Sequence, residues 1–211
     1  MVPEGEVVVK MPIRKDKLVN GMFYHVYNKS ISGYVIFNNP MEYSRFIELM
    51  KYYRFSNVER KFSIRSDFEV KDNSKKVDII SYCIMPTHYH MILLQKEEKG
   101  IERFISSLQK SYALYFNQKH KRKGPLWESR FKNVLIDDNN VFIHLTRYVH
   151  LNPVTAGIVN NLEDWEYSSY KQYIGLTESF CEFKEYINMS CEAYKKFSED
   201  QIDYQRELAK I

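Results

Sequence analysis

The sequence is poor in cysteine, in long apolar runs and in any large excess of one charge. The three cysteines, Cys83, Cys181 and Cys191, form no C-x-x-C pair, so we expect reduced thiols rather than a zinc knuckle or a redox motif. No stretch approaches the roughly 20 apolar residues that a membrane helix needs, and residues 1–17 lack the apolar run of a signal peptide. These absences predict a cytoplasmic protein that does not contact membranes.

The charge is nearly balanced. Lysine and arginine total 31 against 27 acidic residues, which gives a formal net charge of +4. This small excess is compatible with nucleic-acid binding but does not require it, so the arrangement of the charges must decide. With 211 residues, of which 44% are hydrophobic, the chain is long enough to bury one substantial core.

The apolar pattern predicts the element order β, α, β, β, α, β, α. Strand-like runs cover residues 22–27, 77–85, 88–95 and 131–136, and helical spacing covers 39–53, 101–116 and 141–151, with Pro153 expected to end the last helix. Residues 54–76 read as a loop, and residues 181–211 as one or two amphipathic helices. This order predicts an α+β fold, a ferredoxin-like antiparallel sheet with helices packed on it.

A histidine pair begins the third predicted strand. Because side chains alternate along a strand, His88 and His90 point from one face and Tyr89 from the other. Two imidazoles that converge in this way suit a divalent cation, and a site completed by oxygen ligands and open to phosphate would accept Mg²⁺ or Mn²⁺. The alternative is that both histidines are merely polar positions of a half-buried sheet.

The third predicted helix places Tyr148 and Asn152 four residues apart, on one face. Asn152 is expected to be the last helical residue, where the helix dipole favours a cation, so it is a candidate third metal ligand. A tyrosine hydroxyl is a weak nucleophile, and a metal that polarises the attacked phosphate would assist it. The alternative is that Tyr148 is one of many packed aromatics, since the chain has 17 tyrosines.

A basic segment follows the second predicted helix. Its candidate DNA-binding residues are Lys119, Lys121, Arg122, Lys123, Trp127, Arg130 and Lys132. The cations would give salt-dependent affinity for phosphates, and Trp127 could stack on an unpaired base. The alternative is a solvated turn with a buried tryptophan.

Five motifs in a fixed order resemble one family. They are YHVYN at 24–28, YCIMPTHYH at 82–90, GPLWESRFK at 124–132, RYVHLNPV at 147–154 and WEYSSY at 165–170. Together they resemble the single-tyrosine HUH transposases of the insertion-sequence 200-like group, especially the REP-associated branch. The resemblance extends from about Gly21 to Tyr173.

The resemblance implies a metal-dependent DNA strand transferase. The tyrosine nucleophile would be Tyr148, the metal ligands would be His88 and His90, and Asn152 would occupy the helix position where other branches have glutamine. Family members attack a single-strand phosphate, form a 5′-phosphotyrosine link and free a 3′-hydroxyl, often at hairpins or repeated palindromes. The implied partner is single-stranded or hairpin DNA, bound by a monomer or a homodimer.

The implied organisation is an N-terminal arm (1–20), a catalytic domain (21–175) and a C-terminal helical extension (176–211). The sequence departs from the family pattern at Lys29, Thr87 and Tyr89, none of which is an implied catalytic group.

Two other functions stay open. A domesticated relative could bind DNA or RNA hairpins without cutting them, and a hydrolase could use the histidine pair with water, although no H-E-x-x-H or H-x-E motif is present.

Overall fold

The computed structural model describes residues 17–58, 62 and 73–208. Most of the predicted N-terminal arm (1–16) and most of the predicted loop (59–61 and 63–72) lie outside the described residues, as do residues 209–211. No helix within the described part of the chain is long and apolar enough to cross a membrane.

The core of the fold is a four-stranded antiparallel sheet. Its strands are β1 (Phe23–Lys29), β2 (Val77–Met85), β3 (His88–Gln95) and β4 (Lys132–Ile136), in the spatial order β2-β3-β1-β4. The predicted order of elements along the chain and the ferredoxin-like α+β class are therefore confirmed. Strands β2 and β3 form a hairpin around Pro86 and Thr87, and the Pro86 carbonyl accepts hydrogen bonds from the backbone of Ile36 and Phe37.

The helices are α1 (Pro40–Tyr53), α2 (Gly100–Lys119), α3 (Asn139–Thr155), α4 (Tyr170–Tyr173), α5 (Cys191–Glu199) and α6 (Ile202–Leu208). Helix α1 begins where the sequence predicts, because the Asn39 side chain accepts a hydrogen bond from the Glu42 backbone and Pro40 occupies the first turn. Asp138 caps α3 in the same way, through the backbone N–H groups of Asn140 and Val141.

The two faces of the sheet are covered by different helices. Helices α1 and α2 pack against each other on one face. There Tyr89 of β3 contacts Phe46 of α1, and its hydroxyl accepts a hydrogen bond from the Gln109 side chain of α2 (2.9 Å). Helix α3 contacts β2, β3 and β4 and covers part of the other face. The alternation expected for β3 holds, because His90 points to the α3 face, where its ring lies against Tyr148.

Helix α3 does not end at Pro153, and the sequence prediction was wrong here. The helix continues to Thr155 with Pro153 inside it. Proline lacks the N–H that would reach the carbonyl of Val149, one turn earlier. The Asn152 side-chain amide compensates, because its Nδ2 donates to the carbonyls of Tyr148 (2.8 Å) and Val149 (3.4 Å).

The C-terminal helices pack against α3. The buried His150 of α3 hydrogen-bonds through Nδ1 to the Tyr194 hydroxyl of α5 (2.8 Å) and through Nε2 to the Ser169 hydroxyl (2.7 Å). The Tyr194 hydroxyl also donates to Thr146, one turn before His150 (3.0 Å). These polar contacts fix α3 to the C-terminal segment, and they agree with the prediction of helices beyond Gly175.

Candidate active site

Three histidines from the two central strands lie on the α3 face. His88 and His90 belong to β3, and His25 belongs to β1. In the pairing of β1 with β3, Tyr27 lies opposite His90, and His25 lies two residues before Tyr27 on the same face of the sheet. The His25 and His90 rings are 5.2 Å apart between centroids, as are those of His88 and His90. The spacing of residues in β3 therefore brings together only His88 and His90, and the antiparallel pairing of β1 with β3 adds His25 to the cluster.

The δ nitrogens of both predicted metal ligands already have hydrogen-bond partners. His90 Nδ1 lies 3.0 Å from His25 Nε2, and His88 Nδ1 lies 3.0 Å from the Thr87 hydroxyl. The Nε2 atoms are then the ligand atoms that a cation would use. A metal-bound imidazole usually has its second nitrogen in such a bond, so the donor set fits a divalent cation.

The surroundings keep these imidazoles neutral at physiological pH. Burial lowers the pKa of His90 to about 3, with further lowering by His25 and His88. Burial also lowers the pKa of His25 to about 4. The pKa of His88 is lowered by burial and by the nearby Lys29 ammonium. Only neutral imidazole has a lone pair for a metal, so the cluster is prepared for ligation without losing a proton.

Tyr148 projects from α3 over this cluster. Its ring centroid lies 5.8 Å from that of His90 and 6.0 Å from that of His25, edge to face in both cases. The residue is 41% exposed, so its side chain does not fill the core. Partial burial, and secondarily the Tyr27 hydroxyl, raise the pKa of Tyr148, so the phenol is protonated at neutral pH.

Asn152 lies one turn beyond Tyr148 on α3. Its Nδ2 is used in the bonds to the helix carbonyls, which leaves Oδ1 as the atom for a cation. In the part of the chain that the structure describes, no three His, Cys, Asp or Glu side chains cluster closely enough to hold a metal. A cation bound by His88 and His90 would therefore need an oxygen of another kind, and the sequence offers the Asn152 amide on α3, whose side-chain hydrogen bonds are to its own helix.

A cleft of roughly 200 Å³ opens beside the histidines. Among its lining residues are Tyr27, Lys29, His88, Glu128 and Lys132. The Lys29 ammonium is 3.2 Å from the Glu128 carboxylate, and Lys132 lies opposite Tyr27 on β4. Lysines on two strands therefore flank the imidazoles, and because Glu128 offsets the charge of Lys29, the lining has a net charge of about one positive unit.

The basic segment reaches this cleft through backbone pairing. Leu126 accepts a hydrogen bond from the Ile31 backbone, and Glu128 donates one to the Lys29 carbonyl. Asn28 of β1 also donates through its side chain to the Ser129 carbonyl (2.9 Å). The chain from α2 to β4 is thereby fastened along the end of β1, next to His88.

The seven predicted DNA-binding residues have different surroundings. The exposed ones include Lys121, Lys123, Arg130 and Lys132. Lys119 pairs with the buried Glu42 (2.9 Å), and Arg122 donates to the Pro125 carbonyl (2.7 Å) and lies over the Tyr34 ring. Trp127 is half-buried, packs edge-on against Tyr89 and donates its indole N–H to the Gln109 carbonyl.

Sequence reasoning missed the position of His25. Sequence patterns give it no role of its own, yet it lies within hydrogen-bond distance of His90. The only sequence signal is its even spacing from Tyr27 in β1, and the register between β1 and β3 is needed to bring it to His90. His144 lies one turn before Tyr148, but its ring nitrogen contacts Arg147 (2.9 Å), outside the imidazole cluster.

Comparisons with known proteins point to one family. A family model described as IS200-like transposase matches residues 38–152. A REP-associated tyrosine transposase of Haemophilus influenzae is 30% identical over an alignment of 104 positions that covers 44% of this chain and 58% of that protein. A solved REP-associated tyrosine transposase bound to a REP hairpin superposes with a TM-score of 0.58 at 15% identity, covering 81% of this chain and 96% of the other. This last likeness concerns the fold.

Proposed function

The chain belongs to the family of IS200-like transposases, and on that basis we propose that it cuts and rejoins single-stranded DNA through a covalent link to Tyr148. The observation that carries the proposal is the position of Tyr148, whose exposed ring lies edge to face against His90, one of the residues that line the basic cleft. An exposed tyrosine hydroxyl, two imidazoles and a lysine-lined cleft then occur together in one chain.

The reaction is a transesterification. The Tyr148 Oη attacks the scissile phosphorus, a new O–P bond forms, and the bond from phosphorus to the 3′ oxygen breaks. The phenolic proton is lost and the departing 3′ oxygen gains one, so that a free 3′-hydroxyl and a 5′-phosphotyrosine remain. Attack by a 3′-hydroxyl on that phosphotyrosine reverses the step and rejoins DNA without an external energy source.

The proposed cofactor is Mg²⁺ or Mn²⁺, held by the Nε2 atoms of His88 and His90 and by Oδ1 of Asn152. When bound, such a cation would polarise the phosphate and ease the charge that develops during attack. The raised pKa of Tyr148 is consistent with a need for such assistance, because the protonated phenol is a poor nucleophile at neutral pH.

The proposed DNA-binding surface combines the cleft with the basic segment. Lys29 and Lys132 flank the histidines, and Lys121, Lys123 and Arg130 extend the charge along the surface. Lys119 and Arg122 would contribute charge while bracing the segment. The indole of Trp127 would support the segment from beneath, because its hydrogen bond and aromatic contacts already engage the ring.

We further propose hairpin DNA as the substrate, by analogy with the solved relative that is bound to a REP hairpin. The test is incubation of the protein with labelled single-stranded oligonucleotides that carry hairpins from the DNA flanking its coding sequence, with Mg²⁺ or Mn²⁺. A denaturing gel should show a covalent protein–DNA adduct and a shorter labelled strand with a free 3′-hydroxyl.

The decisive variant is Tyr148→Phe, which removes the attacking oxygen and little else. Tyr204→Phe is a matched control, because Tyr204 of α6 is also exposed (58%) but is far along the chain from the motif. The adduct should disappear only in Tyr148→Phe. Tight binding without an adduct for any strand or metal would instead indicate a hairpin-binding relative that does not cut.

A further inference from the structure

His25 is a buried histidine to which the proposed reaction gives no part. It is 8% exposed, and its Nε2 lies 3.0 Å from His90 Nδ1. The two rings are inclined by only 17°, with centroids 5.2 Å apart. A nitrogen–nitrogen distance so much shorter than the centroid distance means that the rings meet edge to edge, which is the geometry of an in-plane N–H···N hydrogen bond.

This contact constrains the proton on His90. A neutral imidazole has one N–H and one lone pair. If His90 Nδ1 accepts the proton from His25, then His90 Nε2 carries its own hydrogen and cannot bind a cation. If His90 Nδ1 donates, Nε2 keeps its lone pair. Only the second arrangement is compatible with ligation, and it requires His25 Nε2 to be the acceptor.

We propose that His25 is a positioning residue that holds His90 in the Nδ1–H tautomer, with Nε2 directed to the cation. This inference rests on the proposed cation site. His88 has a more adaptable partner, because the Thr87 hydroxyl can either donate or accept. The two ligands are therefore held differently, with an imidazole behind His90 and a hydroxyl behind His88.

The test compares two substitutions that leave Tyr148 and the metal ligands unchanged. His25→Leu removes the acceptor, whereas His25→Gln places an amide oxygen near the position of Nε2. Mn²⁺ binding is measured by electron paramagnetic resonance, without DNA. His25→Leu should bind Mn²⁺ about 10–100-fold more weakly, as is typical when such an outer partner is lost, and His25→Gln should restore most of the affinity.

A second readout needs no metal. Nitrogen-15 chemical shifts of the apo protein report which ring nitrogen carries the proton, and they should identify His90 as the Nδ1–H tautomer. In His25→Leu the Nδ1–H population should fall, and in His25→Gln it should persist. Thermal unfolding of each variant checks that the fold is retained, and His120→Gln, remote from the cluster, controls for the loss of a histidine.

The outcomes separate this inference from the proposed function. If His90→Ala abolishes Mn²⁺ binding while His25→Leu binds normally and keeps the Nδ1–H tautomer, the role of His25 is overturned and the cation site stands. If the unaltered protein binds no Mn²⁺, or His90→Ala binds it normally, the cation site itself is overturned and the role of His25 falls with it.

Discussion

At the residue scale, Asn152 has two roles, a hydrogen-bond donor to its own helix and a proposed ligand of the cation. Its amide nitrogen donates to the carbonyl groups of Tyr148 and Val149, which includes the carbonyl deprived of a donor by Pro153. Its amide oxygen is the atom proposed to bind the cation. A purely structural role and a ligand role therefore use different atoms of one side chain, and substitutions can separate them.

We predict that Asn152→Ala and Asn152→Asp both destabilise the protein, by about 1 kcal/mol, because each loses the amide donor. They should differ in Mn²⁺ affinity. Asn152→Asp keeps an oxygen and adds a charge, so it should retain binding, whereas Asn152→Ala should weaken it. Urea unfolding and Mn²⁺ titration measure the two effects. Equal Mn²⁺ affinity in Asn152→Ala and the parent protein would assign Asn152 to helix stabilisation alone.

The residues of the site were predictable to different degrees. The common face of His88 and His90 follows from strand alternation, and Tyr89 on the opposite face follows from the same rule. His25 could not be placed, because strand register depends on pairing over more than sixty residues of chain. The second function of Asn152 depends on the helix continuing past Pro153, which local sequence rules disfavour.

At the scale of elements, α3 is held in place by polar contacts as well as by apolar packing. His150 is 1% exposed and connects α3 to Tyr194 of α5 and to Ser169. Burial lowers the pKa of His150 to about 3. The imidazole is therefore neutral in the folded protein across the physiological pH range. As the pH falls, this histidine is protonated first in the unfolded chain.

We predict that acid weakens the fold through His150. The folded pKa lies below the unfolded value of 6.5, so between about pH 6.5 and 3 the unfolded state binds the proton and stability falls as pH falls. The limiting slope is about 1.4 kcal/mol per pH unit for one such group. Urea unfolding from pH 7.5 to 5 should show this loss, together with similar contributions from His25 and His90.

The matched measurement uses His150→Gln, which cannot take up a proton. The variant should be less stable than the parent at pH 7.5, because an amide cannot reproduce both hydrogen bonds. The slope of its unfolding free energy against pH should nevertheless be smaller, by about the contribution of one titrating histidine. An unchanged pH slope would mean that His150 is protonated in the folded protein and that its neutral form does not connect the elements.

Element boundaries show where local rules were sufficient. Strands β2 and β3 have the predicted limits, and α1 begins at the predicted Asn39 cap. Helix α2 was predicted as 101–116 and extends to Lys119. The error at the end of α3 arose because a proline was treated as a terminator, while a neighbouring side chain replaced the missing backbone donor.

For the whole molecule, the sequence was sufficient to predict the fold class and not the internal geometry of the site. The element order restricts the sheet to a few antiparallel arrangements, of which β2-β3-β1-β4 is observed. The distance from Tyr148 to the histidines depends on how α3 returns across the sheet. That path is set by contacts with β2, β3, α5 and α6, which involve residues distant in sequence.

The same contacts bear on which chain would supply the proposed nucleophile. Within one chain the Tyr148 ring is 5.8 Å from the His90 ring, and the hydrogen bonds of His150 and Thr146 to Tyr194 join α3 to the following helix of the same chain. Exchange of α3 between two copies would break these buried bonds. We therefore expect each chain to use its own tyrosine, whether it acts as a monomer or as a homodimer.

We predict that a mixture of Tyr148→Phe and His90→Ala proteins forms no covalent DNA adduct. One variant lacks the Tyr148 hydroxyl and the other lacks the His90 imidazole. Neither chain can use the group of the other while α3 remains packed against its own sheet. The unaltered protein at the same total concentration provides the positive control, and each variant alone provides the background. Recovery of about a quarter to a half of the control adduct would mean that tyrosines serve the histidines of a neighbouring chain, and that the contacts between α3 and α5 open during the reaction.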